Sequence, residues 1–181
     1  GGTTGGSVTV SADTFEQTGG TVASGTTVNA ATSATLNGGT IQGTLGGAGG
    51  VTIQTGTTTV SGGTLTLGVG GSLDNSNALT IASGAVFDVS ATAGFTQTTL
   101  QSLTAGRTSG SGNDIVGNLN TGGTVDVAGQ GIAGTLKVSG NLTLTGGGSL
   151  QLDVSPSVAS GNDRIIAGGT LTLASTAVSP V

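Results

Sequence analysis

The chain has 181 residues, of which 34% are hydrophobic, 6% charged and 2% aromatic, with a formal net charge of −5. Arg107, Lys137 and Arg164 are its three cations, too few to neutralise a phosphate backbone, which argues against nucleic acid as a partner. Cysteine, histidine and tyrosine are absent, which excludes a disulfide framework, histidine-dependent nucleophiles and histidine metal sites.

Gly1 to Gly6 reads as a lead-in, and Ser7 to Val10 as the first strand. Asp13 to Gln17 is irregular, and its Phe15 is expected either to face inward or to cover an end. Thr18 to Leu45 carries GGTVASGTTV and NGGTIQGTL, followed by a glycine corner at Gly46 to Gly50. Leu65, Leu67 and Val69 alternate with small residues, and Leu73, Leu79, Ile81, Phe87 and Val89 continue the pattern. Period two marks strands with one buried face. From Ala91 to Gly112 the alternation weakens, and TTLQSLTAGRTSGSG is expected to form a looser corner or a short helical turn. Regularity returns at Ile115, Val125, Val127, Leu136 and Val138. It is strongest from Gly140 to Leu173, where Leu142, Leu144, Leu150, Leu152, Val154, Leu171 and Leu173 are all expected to face inward. Glycine is 38 of 181 residues and proline only 2; the ordered alternation distinguishes the chain from a disordered Gly/Ser linker.

The pattern Gly-Gly-[Ser/Thr]-[Val/Ile/Leu] begins at Gly19, Gly38, Gly62, Gly70, Gly122, Gly147 and Gly168. Phe15-Glu16-Gln17-Thr18 recurs as Phe95-Thr96-Gln97-Thr98, and Gly112-Asn113-Asp114 as Gly161-Asn162-Asp163. These markers imply a unit of about 20–21 residues, too small to bury its own apolar face, so units must stack. The expected architecture is all-β, a parallel β-helix of about 8–9 coils forming a single domain over residues 1–181. At about 4.8 Å per coil the rod is roughly 40 Å long.

The stretch GNLTLTGGGSLQLDVSPSVASGNDRIIAGGTLTL resembles the strand repeat of bacterial autotransporter passenger regions. FEQTGGTVASGTTVNAATSATLNGGTIQG is similar to filamentous-haemagglutinin-like exoproteins. The resemblance covers nearly the whole chain loosely, and implies a right-handed parallel β-helix, export across the outer membrane and display or release at the bacterial surface. It brings no catalytic residues. The chain starts without methionine and is expected to be a processed product or a piece of a longer protein, with no apolar run long enough for a transmembrane helix.

The remaining candidates for chemistry are carboxylates. Asp88, Asp126 and Asp153 each lie between apolar neighbours and are expected to point outward as part of a solvated face, with a weak calcium site shared by Asp126 and Asp153, or catalysis, as the rival readings. Ser109 to Val116 is similar to the calcium-binding nonapeptide, but that motif works only in tandem. Asn113-Asp114 and Asn162-Asp163 are therefore read as corner residues bonding nearby backbone, and Arg164 beside Asp163 as a surface ion pair. Thr57/Thr59, Thr64/Thr66, Thr143/Thr145 and Thr170/Thr172 raise an ice-binding face, but with only Thr96/Thr98 between Thr66 and Thr143 the ladder reads as broken, and threonine as a strand-favouring outward residue.

No catalytic, cofactor-binding or metal residue is assigned, and no cofactor is expected. The function expected is a non-catalytic structural or adhesive shaft of an exported surface protein. The first alternative is an extracellular filament or matrix subunit stacking end to end, and the second a carbohydrate-active β-helix enzyme. Expected partners are a further copy of the chain, as a head-to-tail polymer, or a host or environmental surface, carbohydrate included.

Overall fold

The structure is a computed structural model that describes residues 8–23, 25–36, 39–41, 44–47, 51–53, 57–67, 78–92, 95–97, 102–107, 110–145, 147–154, 161–174 and 177–180. The expected inward positions Val69 and Leu73 lie outside these residues, as do Thr98 and most of the glycine corner at 46–50.

Short alternating runs separated by glycine give strands of two to eleven residues. In chain order these are β1 (Val8–Gln17), β2 (Thr21–Val22), β3 (Thr26–Leu36), β4 (Gly39–Ile41), β5 (Thr44–Gly47), β6 (Val51–Ile53), β7 (Thr57–Val60), β8 (Thr64–Thr66), β9 (Ala78–Ile81) and β10 (Val86–Asp88). They continue as β11 (Phe95–Gln97), β12 (Ser102–Ala105), β13 (Ile115–Val116), β14 (Leu119–Thr121), β15 (Thr124–Val127), β16 (Thr135–Val138), β17 (Leu142–Leu144), β18 (Ser149–Leu152), β19 (Arg164–Ala167), β20 (Leu171–Leu173) and β21 (Ala177–Pro180).

Every strand pairs in parallel with its equivalent one coil away, which makes the molecule a β-solenoid. One sheet runs β1-β3-β5-β8-β10-β13-β16-β19, with β6 also on β3; a second runs β2-β4-β7-β9-β12-β15-β18-β21; a third runs β11-β14-β17-β20. Four turns are therefore three-sided throughout among the described residues, fewer than the eight to nine coils expected, while each of the two long sheets carries eight strands along its path. Register shows how uneven the coil is. Thr27 pairs with Thr44, 17 residues on, whereas Val138 pairs with Ala167, 29 residues on.

The core is a set of columns running along the rod. On the first sheet Val28, Leu45, Leu65, Phe87, Ile115 and Val138 follow one another in register and all are buried. On the second, Leu79, Leu103, Val125 and Leu150 do the same, and on the third Leu119 stacks on Leu142. Each such side chain contributes about 1.5–3 kcal/mol on burial. Corners are held by side chains that reach to the next coil. The Asn141 N–H donates to Asn118 Oδ1 at 2.8 Å, and the Thr170 N–H donates to Asn141 Oδ1 at 2.8 Å.

Several local expectations change. Gly46 and Gly47 belong to β5, because Gly46 lies against the Thr66 side chain and is an extended position where a larger residue would crowd its neighbour. The stretch expected to form a loose corner or helical turn contains β12, which pairs with β9 and β15 and buries Leu103. Leu150 is buried, but Val154 is 54% exposed, since β18 ends at Leu152 and the chain turns there, putting Asp153 inside and Val154 outside. Leu171 and Leu173 are 42% and 45% exposed because β20 is the terminal strand of its sheet's path. Phe15 is half-buried and packs against the core.

Candidate functional site

Among the described residues, two places bring ionisable groups into the same neighbourhood, and both lie where the chain enters a strand of the first sheet. The first is built on Arg107 and Asp114. Arg107 follows β12 and forms an antiparallel bridge with Thr135 of the adjacent coil. The Arg107 side chain is buried. Its Nε is 2.9 Å from Asp114 Oδ1, with the two side chains 8% and 0% exposed. The Nε–H is not directed along that contact, so it is an ion pair and not a hydrogen bond. Arg107 also donates to the Asn113 carbonyl at 2.6 Å and to the Ala85 carbonyl at 3.3 Å, and Asp114 Oδ2 accepts the Lys137 N–H at 2.9 Å. Burial pushes the Asp114 carboxyl above its ordinary value, opposed by the Lys137 N–H and the charges of Arg107 and Lys137.

The second place is the neck where the chain leaves β18 and re-enters at β19. Asp163 Oδ2 accepts the Asp153 N–H at 2.7 Å, Asp163 Oδ1 accepts the Gly134 N–H at 2.7 Å, and the Asp163 N–H donates to the Asp153 carbonyl at 2.9 Å. Asp153 itself is only 9% exposed, and its Oδ2 is buried with no hydrogen-bond partner. Asp126 on β15 pairs with Gln151 of β18, two residues before Asp153, and is half-buried. Burial and the charges of Asp153 and Asp163 push Asp126 up, opposed by the N–H groups of Gly129 and Gln130. Burial pushes Asp163 up as well, with the Asp153 charge adding and its two backbone donors opposing.

No family model, curated protein or solved structure matches the chain.

The three acids expected to form a solvated face thus have different fates. Asp88 is half-buried and its Oδ1 accepts the Ser90 N–H at 2.9 Å, a local turn contact. Asp126 is outward as expected, whereas Asp153 is inward, and the backbone of Asp153 is bonded to a third acid, Asp163, that reads in the sequence as a corner residue. Asp114 and Asp163 do bond to backbone as expected, Asp163 to nearby Asp153 and, across coils, to Gly134, and Asp114 across coils to Lys137. Asp163 spends both oxygens on backbone donors and Arg164 is exposed, and among the described residues the ion pair found is the buried Arg107–Asp114, not the expected surface pair between Asp163 and Arg164. Among the described residues, no group of three acids is placed so that it could hold a metal ion.

Threonine is more orderly than its sequence spacing suggests. Thr21, Thr40, Thr59, Thr80 and Thr104 pair in register along the second sheet. The ladder is continuous over five strands because the coil changes length while the register holds, and single threonines sustain it where Thr-x-Thr pairs fail. A second column, Thr9, Thr27, Thr44 and Thr64, follows the first sheet. Threonine columns on two different sheets fit the role of an outward strand residue. Cross-coil hydroxyl pairs, such as Thr124 Oγ1 and Ser149 Oγ at 2.9 Å, add about 0.2–1 kcal/mol each. A cavity of about 450 Å³ lies at the first edge of the stack, lined among others by Val10, Phe15, Gln17, Val22 and Val28.

Proposed function

We propose that this chain is a non-catalytic structural shaft within an exported bacterial surface protein of the autotransporter-passenger or filamentous-haemagglutinin kind. The observation that carries this reading is the continuous parallel strand pairing of the two long sheets, from β1 to β19 and from β2 to β21. Such a stack converts sequence length into reach, because each coil adds about 4.8 Å and is held by its neighbours alone. Hydroxyl columns and cross-coil asparagine bonds support the reading, since they stiffen the stack without creating a pocket. In this role the chain sits outside the cell and holds an adhesive tip, or its own faces, away from the membrane.

A second reading is end-to-end assembly into an extracellular filament. It is favoured by the apolar character of both edges. Val10 is 40% exposed beside the cavity at one end, and Leu171 and Leu173 are exposed at the other. Edge strands with free hydrogen-bonding groups are templates for further pairing.

Electron microscopy of the purified chain across a concentration series, with sedimentation to measure mass, separates the two. Single short rods at every concentration are expected for a shaft. Uniform filaments whose length grows with concentration overturn the shaft in favour of assembly, and compact or irregular particles overturn both.

A further inference from the structure

The connections that carry the chain from the second sheet to the first lie at the same corner of successive coils, and they change length along the rod. The first four, β2–β3, β4–β5, β7–β8 and β9–β10, are two to four residues long, whereas the last three have nine (106–114), seven (128–134) and eleven (153–163). Segments of about 6–16 residues whose ends are held together form compact surface loops. Each of the long connections is closed at its neck. Across the first, Arg107 Nε lies 2.9 Å from Asp114 Oδ1 and the guanidinium donates to the Asn113 carbonyl at 2.6 Å. At the second, a side chain placed on Gly134 would run into Ala128 Cβ, so the two ends touch. At the third, Asp163 Oδ2 accepts the Asp153 N–H at 2.7 Å, and the Asp163 N–H donates to the Asp153 carbonyl at 2.9 Å.

Neighbouring necks are tied to each other as well. Arg107 and Thr135 exchange two backbone hydrogen bonds, each of 2.9 Å, which joins the first connection to the end of the second. Gly134 donates to Asp163 Oδ1 at 2.7 Å and its carbonyl accepts the Arg164 N–H at 2.9 Å, which joins the second to the third. We propose that the three long connections form one stiff ridge along the flank of the rod, with Arg107 and Asp163 as the clasps that make them a single body. A charged group bonded to backbone from more than one segment holds each more strongly than a neutral one would, and opening one connection strips partners from the next. The ridge carries Ile132 and Val154, 49% and 54% exposed, the most exposed large apolar side chains among the described residues. Loops fixed on a rigid scaffold are where such folds carry their contacts. This goes beyond the shaft reading, because it gives one corner of the last three coils a surface whose shape is set before anything meets it.

The test is native-state hydrogen exchange, read amide by amide by NMR on the full 181-residue chain. In the wild type the amides of Arg107, Gly134, Thr135, Asp153 and Asp163 are expected to exchange at least about 100-fold more slowly than in the unfolded chain. Asp163→Asn leaves one acceptor oxygen for two donors and should speed Gly134 and Asp153 at least about tenfold. Because the necks act as one body, Arg107 and Thr135 should speed with them, although the Asp163 side chain bonds to neither. Leu79 and Ile81 of β9, outside the ridge, should keep their rates. Arg107→Lys keeps a cation beside Asp114 but loses the planar fork. It should speed Thr135 and carry over to Gly134 and Asp153, and it covers the case in which Asp163→Asn fails to fold. Acceleration confined to the neck that holds the substitution makes the connections independent loops and overturns the proposal. Acceleration of Leu79 and Ile81 by the same factor overturns it too, since the ridge then has no stability of its own, and so does wild-type exchange of the neck amides at unfolded-chain rates.

Discussion

Thr58 occupies an inward position of the second sheet, pairing in register with Leu79, and it is fully buried with a hydroxyl that has no hydrogen-bond partner. Thr58→Val replaces that hydroxyl by a methyl group of nearly the same volume on the same branched carbon, so no cavity opens and the strand preference is kept. Relief of an unsatisfied buried hydroxyl contributes about 1–3 kcal/mol. For a chain of this size each kcal/mol moves the melting temperature by about 2–4 °C. The variant should melt higher by between about 2 and 12 °C, against the usual run of substitutions, which destabilise. The assay is thermal unfolding followed by circular dichroism near the strand minimum, wild type and variant side by side, with Thr59→Val as the outward control expected to change stability by less than about 0.5 kcal/mol. An equal or lower melting temperature for Thr58→Val refutes the placement of Thr58 in the column and, with it, the register between β7 and β9.

The buried pair makes a second prediction: Arg107→Met leaves Asp114 without its cation and should cost about 3–5 kcal/mol at pH 7.5 in chemical unfolding, with a smaller loss at pH 5, where Asp114 can take up a proton. An equal loss at both pH values contradicts the burial of the carboxylate. Phe87→Ala should cost about 3–5 kcal/mol, because the ring fills a column position between Leu65 and Ile115, whereas Val154→Ser should stay within about 0.5 kcal/mol. Two glycines separate backbone strain from crowding. Gly84→Ala, at φ 92 with open space around it, should cost about 1–2 kcal/mol. Gly117→Ala, at φ 109 with the Ser90 nitrogen 2.8 Å from the added carbon, should cost clearly more in the same unfolding experiment.

Much of the fold was legible because apolar alternation is written residue by residue. Leu65 and Leu67, Val125 and Val127, and Leu142 and Leu144 all read correctly as inward pairs, and parallel stacking followed from units too small to stand alone. The spacing of coils was harder to read because the double-glycine marker does not belong to one face. It precedes β2 at Gly19, β8 at Gly62, β15 at Gly122, β18 at Gly147 and β20 at Gly168, strands that lie in three different sheets. Averaging its gaps therefore mixes corners of different kinds, and the threonine ladder disappears when a constant period is imposed. The ionic sites were less legible still. Asp153 carries the same apolar flanks as Asp126, and only the end of β18 at Leu152 reverses its direction. Arg107 sits in a glycine- and serine-rich segment that reads as exposed, and the buried side chain finds its partners elsewhere in the chain, in the Asp114 carboxylate and the Asn113 and Ala85 carbonyls. A cation in a chain with 6% charged residues, followed seven positions later by an acid, was the one signal available.

The lengthening of the coil from 17 to 29 residues along the rod gives the molecule a built-in scale for mechanical unravelling. Pulled from its ends, a solenoid held by nearest neighbours gives way coil by coil. At about 3.4 Å of contour per residue, the released lengths range from about 60 Å for the short early coils to about 100 Å for the long late ones. The order of long and short steps in a single-molecule extension trace thus reports which end peels first.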